Sequence, residues 1–586
     1  MLLLENILKN AFKESLIKLG FDSNINLILL ESKRDEFGDY QLNNIMVLAK
    51  LNKINPIDLA NKVRTHALQI LDGIVDKIEV AGPGFLNIFL SNNYLSNYIL
   101  KFNKNNKYGV QYLGHKSEVV AIDLSSPNLA KEMHVGHLRS TVIGDALARI
   151  FEYLGDTVIR QNHVGDWGTQ FGMLITYIQD EQIFLGSELV NSFKINELEK
   201  LYQKAKLKFD TDQDFAQRSR YAVTLLQMLE DNSLKYWKLF RNESLNHCKE
   251  IYDKLNLKED LTLNDIARGE SFYEKYLPKV IQDLEDANLL VISEGASCVF
   301  FNDNQIETNE STPFIVKKKD GAYLYATTDL AAVKYRIRNL KATKLIYVVD
   351  KRQALHFNQL FQVSKMVKYA DSNIKLLHSY FGTMMNSNGT PFKTRDGGTV
   401  KLIDLIEEAI KRSYNIVEQR NPNWSKNAIS SLAETIAIDS IKYSDLSKNR
   451  TSDYVFSFDK MLGFDGNTAL YMLYAYTRIN SILTKVDISD NCEILIDTDI
   501  ERKLIIHLTK FPNIVGLSAQ ECFPHYICEY VYNLAGLFMK FYELCPIIKA
   551  SSSKLKDSRV YIANLTAEIL YVALNDLLGI KVVYEM

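Results

Sequence analysis

Cysteine is scarce in this 586-residue sequence, and the six present (Cys248, Cys298, Cys492, Cys522, Cys528 and Cys545) form no CxxC pair and no regular spacing. A disulfide framework therefore has no support, and reduced thiols in a cytosolic protein are expected. Long apolar runs are also missing. Nowhere do about 18 apolar residues run without a charge, so no segment is expected to span a bilayer. The opening MLLLENILKNAFKESLIKLGF spaces Leu, Ile and Phe at helical intervals among charges, unlike the uninterrupted apolar stretch of an export signal. These gaps together predict a soluble, cytoplasmic protein without a membrane partner. Excess charge of either sign is absent too. With 69 Lys and Arg against 71 Asp and Glu the formal net charge is −2, which gives no global support to a polyanionic partner. It does not exclude one, because a local basic groove can coexist with a neutral total. Internal repeats and low-complexity linkers are not seen.

What is present is a chain too long for one hydrophobic core, with 47% hydrophobic and 24% charged residues, close to globular averages. A multidomain α/β protein is expected. Residues 1–112 read as a small α+β domain, in which VDKIEVAGPGFLNIFL forms a hairpin around Gly82-Pro83-Gly84. Residues 113–400 open with a buried strand in SEVVAIDLSSPN. A helix from the HVGH string to Gly155 follows, then a second strand and glycine-rich loop in TVIRQNHVGDWG. Strand, helix, strand begins a parallel sheet whose ligands sit beyond the carboxyl ends of its strands. A largely helical insertion at about 172–290 interrupts this domain, and extended patterns resume in VISEGASCVFF, PFIVKKKDGAYLY and KLIYVVD. Residues 401–586 carry apolar residues at spacings of three and four, an all-helical domain.

His134-Val135-Gly136-His137 is the most informative short string, because it follows a strand and starts a helix. Two imidazoles three apart share one helix face and can donate to phosphate oxygens beside the positive helix end. Gly136 leaves room for a flat adenine to approach the backbone. A metal pair is the poorer reading, since no HExxH glutamate or third ligand is nearby. Two satisfied surface histidines are the bland alternative.

The longer strings SSPNLAKEMHVGHLRSTVIGDALAR and NHVGDWGTQFGMLI resemble the signature region of arginyl-tRNA synthetases. The resemblance runs from FGDYQ and AGPGFLNIFL, through KKDGAYLYATTDLA and PFKTRDGGTVKL, to KYSDLSKNR, LYMLYAYTRI and LAGLFMKFYELCPI, so it covers essentially the whole chain. It implies a Rossmann-type class I catalytic domain, an N-terminal additional domain that touches the tRNA elbow and a helical C-terminal anticodon-binding domain. The implied substrates are arginine, tRNA(Arg) and ATP with Mg2+, without a structural metal, on a monomer. By the same resemblance Asn128, Glu270, Tyr325, Asp329 and Gln353 hold arginine, and His134, Gly136, His137 and His356 bind ATP.

The residue chemistry agrees with several of these assignments and leaves alternatives beside them. A buried guanidinium needs carboxylates, which Glu270 and Asp329 supply. Otherwise Asp329 caps the helix LAAVKYR, Tyr325 belongs to the core, and Glu270 is a solvated acid. His163, Asp166, Trp167 and Gln170 converge near the expected pocket, although Trp167 also reads as core. The family's lysine-rich second signature corresponds here to Pro391-Phe392-Lys393-Thr394-Arg395, with Thr394 where the usual lysine stands. Lys131, Lys393 and Arg395 are the cations expected to neutralise pyrophosphate in its stead, Lys131 foremost. For tRNA, Phe37, Tyr40 and Asn43 either meet RNA or pack. Tyr471, Tyr474, Tyr476 and Arg478 interleave rings and a cation as base stacking requires, with helix packing the alternative for at least half of them. Arg450 and Arg559 are candidate phosphate contacts.

Overall fold

Among the described residues, four strands form a parallel sheet: β1 (Val119–Asp123), β2 (Thr157–Gln161), β3 (Lys344–Tyr347) and β4 (Lys375–His378). Their spatial order is β4-β3-β1-β2, with Ala121 paired to Ile159 on one side and Leu345 on the other. The computed structural model describes residues 3–32, 34–181, 195–301, 312–319, 321–392, 400–487 and 492–586. Because β2 lies on one side of β1 and β3 on the other, the strand order reverses between β1 and β3. A crevice opens there at the carboxyl ends of the two strands, the standard ligand position of such sheets.

Alternation along β1 sets the two faces of the sheet. Val120 and Ile122 belong to the large core, which also holds helix α1 (Val135–Leu154), while Ala121 belongs to a second core. That second core includes Leu345 and Tyr347 of β3 and residues of the helices later in the chain. α1 ends at Leu154 with Gly155 as its cap, as the sequence predicts.

Between β2 and β3 the chain makes an insertion that includes helix α2 (Asp231–Lys254). The strand patterns expected to resume near residue 290 do form strands, Val291–Ser293, Ala296–Val299 and Phe314–Lys317, but they pair antiparallel in a sheet of their own. Their short length and tight turn at Glu294-Gly295 favour local hairpin pairing over joining a parallel sheet. Helix α3 (Tyr325–Arg338) then leads to β3, and α4 (Ala354–Met366) lies between β3 and β4.

At the N-terminal end, helices Leu4–Lys18 and Pro56–Ile70 accompany a four-stranded antiparallel sheet that contains the expected hairpin, Val75–Ala81 with Phe85–Leu90. The C-terminal part comprises α5 (Leu402–Arg420), α6 (Lys426–Leu446), α7 (Ala469–Leu483), α8 (Asp499–Thr509), α9 (Phe511–Glu521), α10 (His525–Leu544) and α11 (Ser553–Tyr571). Ionic contacts join these bodies. Arg139 of α1 donates to Asp445 of α6 at 3.1 Å and to the Gly382 carbonyl at 2.7 Å. Arg502 of α8 grips Asp39 and donates to the Leu90 carbonyl at 2.8 Å. No helix among the described residues is long and apolar enough to cross a membrane.

Candidate active site

The loop from β1 to α1 is held in a strained path. Ser125, Ser126 and Ala130 all have positive φ, which costs about 1 kcal/mol or more each in residues other than glycine. Side-chain hydrogen bonds offset that strain. The Ser125 N–H donates to Ser140 Oγ at 2.9 Å, the Ser126 N–H to Asn162 Oδ1 at 2.9 Å, and the Ala130 N–H to Ser244 Oγ at 2.9 Å. Asp123, at the end of β1, receives Ser126 Oγ and the buried guanidinium of Arg336.

At the end of this loop His134 caps α1. Its Nδ1 accepts the N–H of Gly136 at 3.0 Å, and Nδ1 of His137 accepts the N–H of His134 at 3.1 Å. An imidazole whose Nδ1 accepts carries its proton, when neutral, on Nε2. Burial keeps both rings neutral. The His137 value is pushed down to about 3 by burial and then by His134, and that of His134 is lowered by burial, Arg352 and Lys131. The pair, with ring centroids 4.0 Å apart, therefore offers two Nε2–H donors beside the positive end of a helix. Gly136 has a role beyond the one expected for it: a Cβ there would lie 2.8 Å from the His134 ring, so its bareness lets that ring fold back as a cap.

Val400 and Leu402, which follow the second signature string in the chain, meet this turn. The Val135 N–H donates to the Val400 carbonyl at 3.0 Å and the Leu402 N–H to the Met133 carbonyl at 2.9 Å. Lys393, Thr394 and Arg395 lie outside the described residues. Lys131 sits with its ammonium 4.5 Å from the Tyr202 ring centroid, and among the described residues no acid pairs with it. Sequence reasoning missed Arg352. Its guanidinium is well exposed, is held by Asp350 at 2.8 Å, and is near enough to His134 to depress it. An exposed arginine in a loop after a strand carries no sequence signal of its own.

Three carboxylates, Glu270, Asp166 and Asp329, gather near one another. Glu270 starts a short helix, and burial, then the charges of Asp166 and Asp329, push it up to about 8. Asp329 is in the second turn of α3, which starts at Tyr325 with Leu324 as its cap, so the reading of Asp329 as a helix cap is wrong. Burial raises Asp329, but His356, His163 and Arg336 outweigh it and hold the carboxyl below its usual value. His356 Nε2 is 2.7 Å from Asp329 Oδ2, so the histidine assigned to the nucleotide is in contact with the acid assigned to arginine. Tyr325 is 58% exposed, which removes the core alternative, and its ring lies 4.8 Å from that of His356. Asn128 pairs with Gly165, where a Cβ would come within 2.2 Å of Asn128 Oδ1. Gln353 is exposed in the turn before α4. His163 stacks on Tyr273 with centroids 5.4 Å apart, and Gln170 donates to the Gly165 carbonyl. Trp167 packs edge-on against Trp237.

The tRNA candidates divide by burial. Tyr40 is 2% exposed and belongs to the core of the N-terminal body, so the RNA contact expected of it gives way to packing. Arg450 is corrected for the same reason: its guanidinium is spent on the carbonyls of Cys522, Tyr380 and Glu521. Arg559 is buried against Glu501, and Tyr476 is buried too. Tyr471 packs on Tyr532. Phe37 is exposed, and Asn43 is half-buried with its N–H on the Ile28 carbonyl. Tyr474 and Arg478 line a groove of about 720 Å³, where the guanidinium lies 5.1 Å from the Tyr474 ring and 5.2 Å from the Tyr542 ring.

A parallel sheet with a strand-order reversal, a paired-imidazole turn at its mouth and a helical body behind it define the catalytic half of a class I tRNA synthetase, and the family model described as "tRNA synthetases class I (R), catalytic domain" matches residues 98–458. Further models, "Arginyl tRNA synthetase N terminal domain" and "DALR anticodon binding domain", match residues 6–90 and 472–586. The chain belongs to the arginyl-tRNA synthetase family. It is 45% identical over 560 residues to the arginine–tRNA ligase of Chromobacterium violaceum, covering 95% of this chain and 96% of that protein. It is 43% identical over 588 residues to that of Cellvibrio japonicus, over the whole of both. The crystal structure of the arginyl-tRNA synthetase from Plasmodium falciparum superposes with a TM-score of 0.85 at 31% identity over both full chains. The fold is shared with the Thermus thermophilus arginyl-tRNA synthetase, at a TM-score of 0.78 and 22% identity over both full chains.

Proposed function

We propose that this chain is an arginine–tRNA ligase, which joins arginine to the 3′-terminal adenosine of tRNA(Arg) at the expense of ATP. The observation that carries the reading is the gathering of Glu270 and Asp329, two half-buried carboxylates, in a chain whose HVGH turn offers two neutral Nε2–H donors. The carboxylates suit a guanidinium and the imidazole donors suit phosphates. Glu270, Asp329 and Tyr325 hold the arginine side chain, Asn128 its amino or carboxylate end, and Gln353 completes the pocket. His356 serves the pocket by bracing Asp329, and it borders the nucleotide.

The arginine carboxylate attacks the α-phosphorus of ATP, giving arginyl-adenylate and diphosphate. The 2′-hydroxyl of the terminal adenosine then attacks the adenylate carbonyl and releases AMP. Neither step requires a protein nucleophile, so positioning and charge stabilisation carry catalysis. His134 and His137 donate to phosphate oxygens without adding charge. The positive charge comes from Mg2+ entering with ATP, from Lys131 and Arg352, and from Lys393 and Arg395 of the second signature string. Residues 1–112 meet the tRNA elbow through Phe37 and Asn43, residues 113–400 hold the catalytic site, and residues 401–586 take the anticodon, with Tyr474 and Arg478 stacking on its bases. The enzyme works as a monomer in the cytoplasm.

The test is exchange of pyrophosphate into ATP with arginine, with each other amino acid and with none, each with and without tRNA. Exchange with arginine alone, dependent on tRNA, is expected. Exchange with an uncharged amino acid would refute the carboxylate pocket, and no exchange in folded protein that still binds tRNA would indicate a non-catalytic relative.

A further inference from the structure

Asp166 is fully buried yet contributes nothing to the crevice surface. Its carboxylate is turned away, with Oδ2 receiving Arg241 Nε at 2.9 Å and Ser271 Oγ at 2.7 Å, and Oδ1 receiving the Ser271 N–H at 2.9 Å. The Asp166 carbonyl accepts Trp237 Nε1 at 2.6 Å. Trp237 and Arg241 are one turn apart on α2, so a single inserted helix grips this loop at two points. Arg241 also donates Nη2 to the Ala267 carbonyl at 3.2 Å, and the Glu270 N–H donates to the Val164 carbonyl at 3.1 Å. The fit is close: a Cβ on Gly269 would stand 2.5 Å from Asp166 Oδ1 and from the Val164 carbonyl. Asp166 thus pins the turn that starts the Glu270 helix.

We propose that Arg241 is a positioning residue for arginine recognition, which locks the Glu270 turn through Asp166 and cancels the Asp166 charge behind the Glu270 carboxylate. The inference rests on Glu270 being a guanidinium ligand. The charged groups that face Glu270 are Asp166 from the loop after β2, Asp329 from α3 and Glu274 from its own segment, all acidic, and the backbone N–H of Trp167 opposes them by donating to it. His163 and His356 balance Asp329, and Arg241 balances Asp166. With burial and acidic neighbours pushing Glu270 up to about 8, the carboxyl is mostly protonated at pH 7 and ionises as the pH rises through 8. Removing Arg241 leaves a bare carboxylate beside it and moves its titration higher. A guanidinium binds the ionised form, so arginine affinity rises with pH through this titration and falls at fixed pH when the titration moves up.

The test measures the KM for arginine, the KM for ATP and kcat between pH 6.5 and 9 in the full chain with tRNA. Arg241→Gln should move the pH midpoint of kcat/KM for arginine upward and raise the arginine KM at pH 7 about tenfold for each pH unit moved, with the ATP KM unchanged. Arg241→Lys keeps the charge and should keep the midpoint while raising the arginine KM through the lost fork. In the double variant Arg241→Gln/Asp166→Asn the midpoint should return, which also guards against misfolding of the single variant. A midpoint that stays fixed in Arg241→Gln, or fails to return in the double variant, overturns the proposal. Glu270→Gln separates this from failure of the underlying reading: if it leaves the arginine KM unaltered, Glu270 is not a ligand at all.

Discussion

Lys131 is three residues before His134 and holds its ammonium against the Tyr202 ring, with no acid paired to it among the described residues, the state of a cation free to follow a phosphate. Lys131→Ala should therefore lower the rate of adenylate formation by about tenfold or more, given the weight of electrostatic stabilisation in such steps, and leave thermal unfolding unaltered. Pyrophosphate exchange and a melting curve check both halves. A pH prediction also belongs here. His137 and His507 are held at about 3 and about 4 by burial, far below the unfolded value of about 6.5. Between those values the unfolded chain binds more protons than the folded one, so stability is intact above about pH 6.5 and is lost as the pH falls towards 4 and 3. Urea midpoints measured from pH 7.5 to pH 4.5 should fall steadily, and His507→Gln should flatten part of that slope. Single residues were legible where the chemistry was local. The HVGH turn follows from a strand, a helix and two histidines within a few positions. Asp166 was placed near the pocket, but its work depends on Arg241, 75 positions away, and no spacing rule relates them. Tyr40 and Arg450 look like RNA contacts in sequence because their type is suited to it, while burial alone assigns them to the interior.

At the scale of elements, Arg139 on α1 ties the helix of the HVGH turn to the C-terminal body. Its guanidinium is 1% exposed, pairs with Asp445 on α6 and lies between the rings of Phe381 and Tyr454. Asp445 also receives the Tyr454 hydroxyl at 3.1 Å. Asp445→Asn leaves a buried cation uncompensated and should cost about 3 to 5 kcal/mol, read as a drop in the urea midpoint. The helices, the N-terminal hairpin and the start of the parallel sheet were all visible in periodicity, because each is set by a dozen neighbouring residues. The pairing partners of the strands after residue 290 were not. A run of alternating apolar residues says that a strand exists, but whether it joins a parallel sheet or a local hairpin depends on turn length and on which edge is within reach.

At the scale of the whole molecule, Arg502 fastens the N-terminal body to α8 through Asp39, the Leu90 carbonyl and Asn92. Arg502→Ala should release that body into a separate, lower melting transition in calorimetry and raise the KM for tRNA, while the KM for arginine in pyrophosphate exchange stays within about twofold of wild type, since distant sites act nearly independently. The strand order has a further consequence, for the time course of synthesis. β1 and β2 emerge from the ribosome early and can pair at once, but β3, which covers the other edge of β1, is separated from it by roughly 220 residues. At ribosomal speeds of about 5 to 20 residues per second, that edge waits about ten to forty seconds for its partner. For that interval the nascent chain carries the strand edge on which its catalytic crevice will be built as an open invitation to mispairing, and the inserted helices between β2 and β3 are the first material available to shield it.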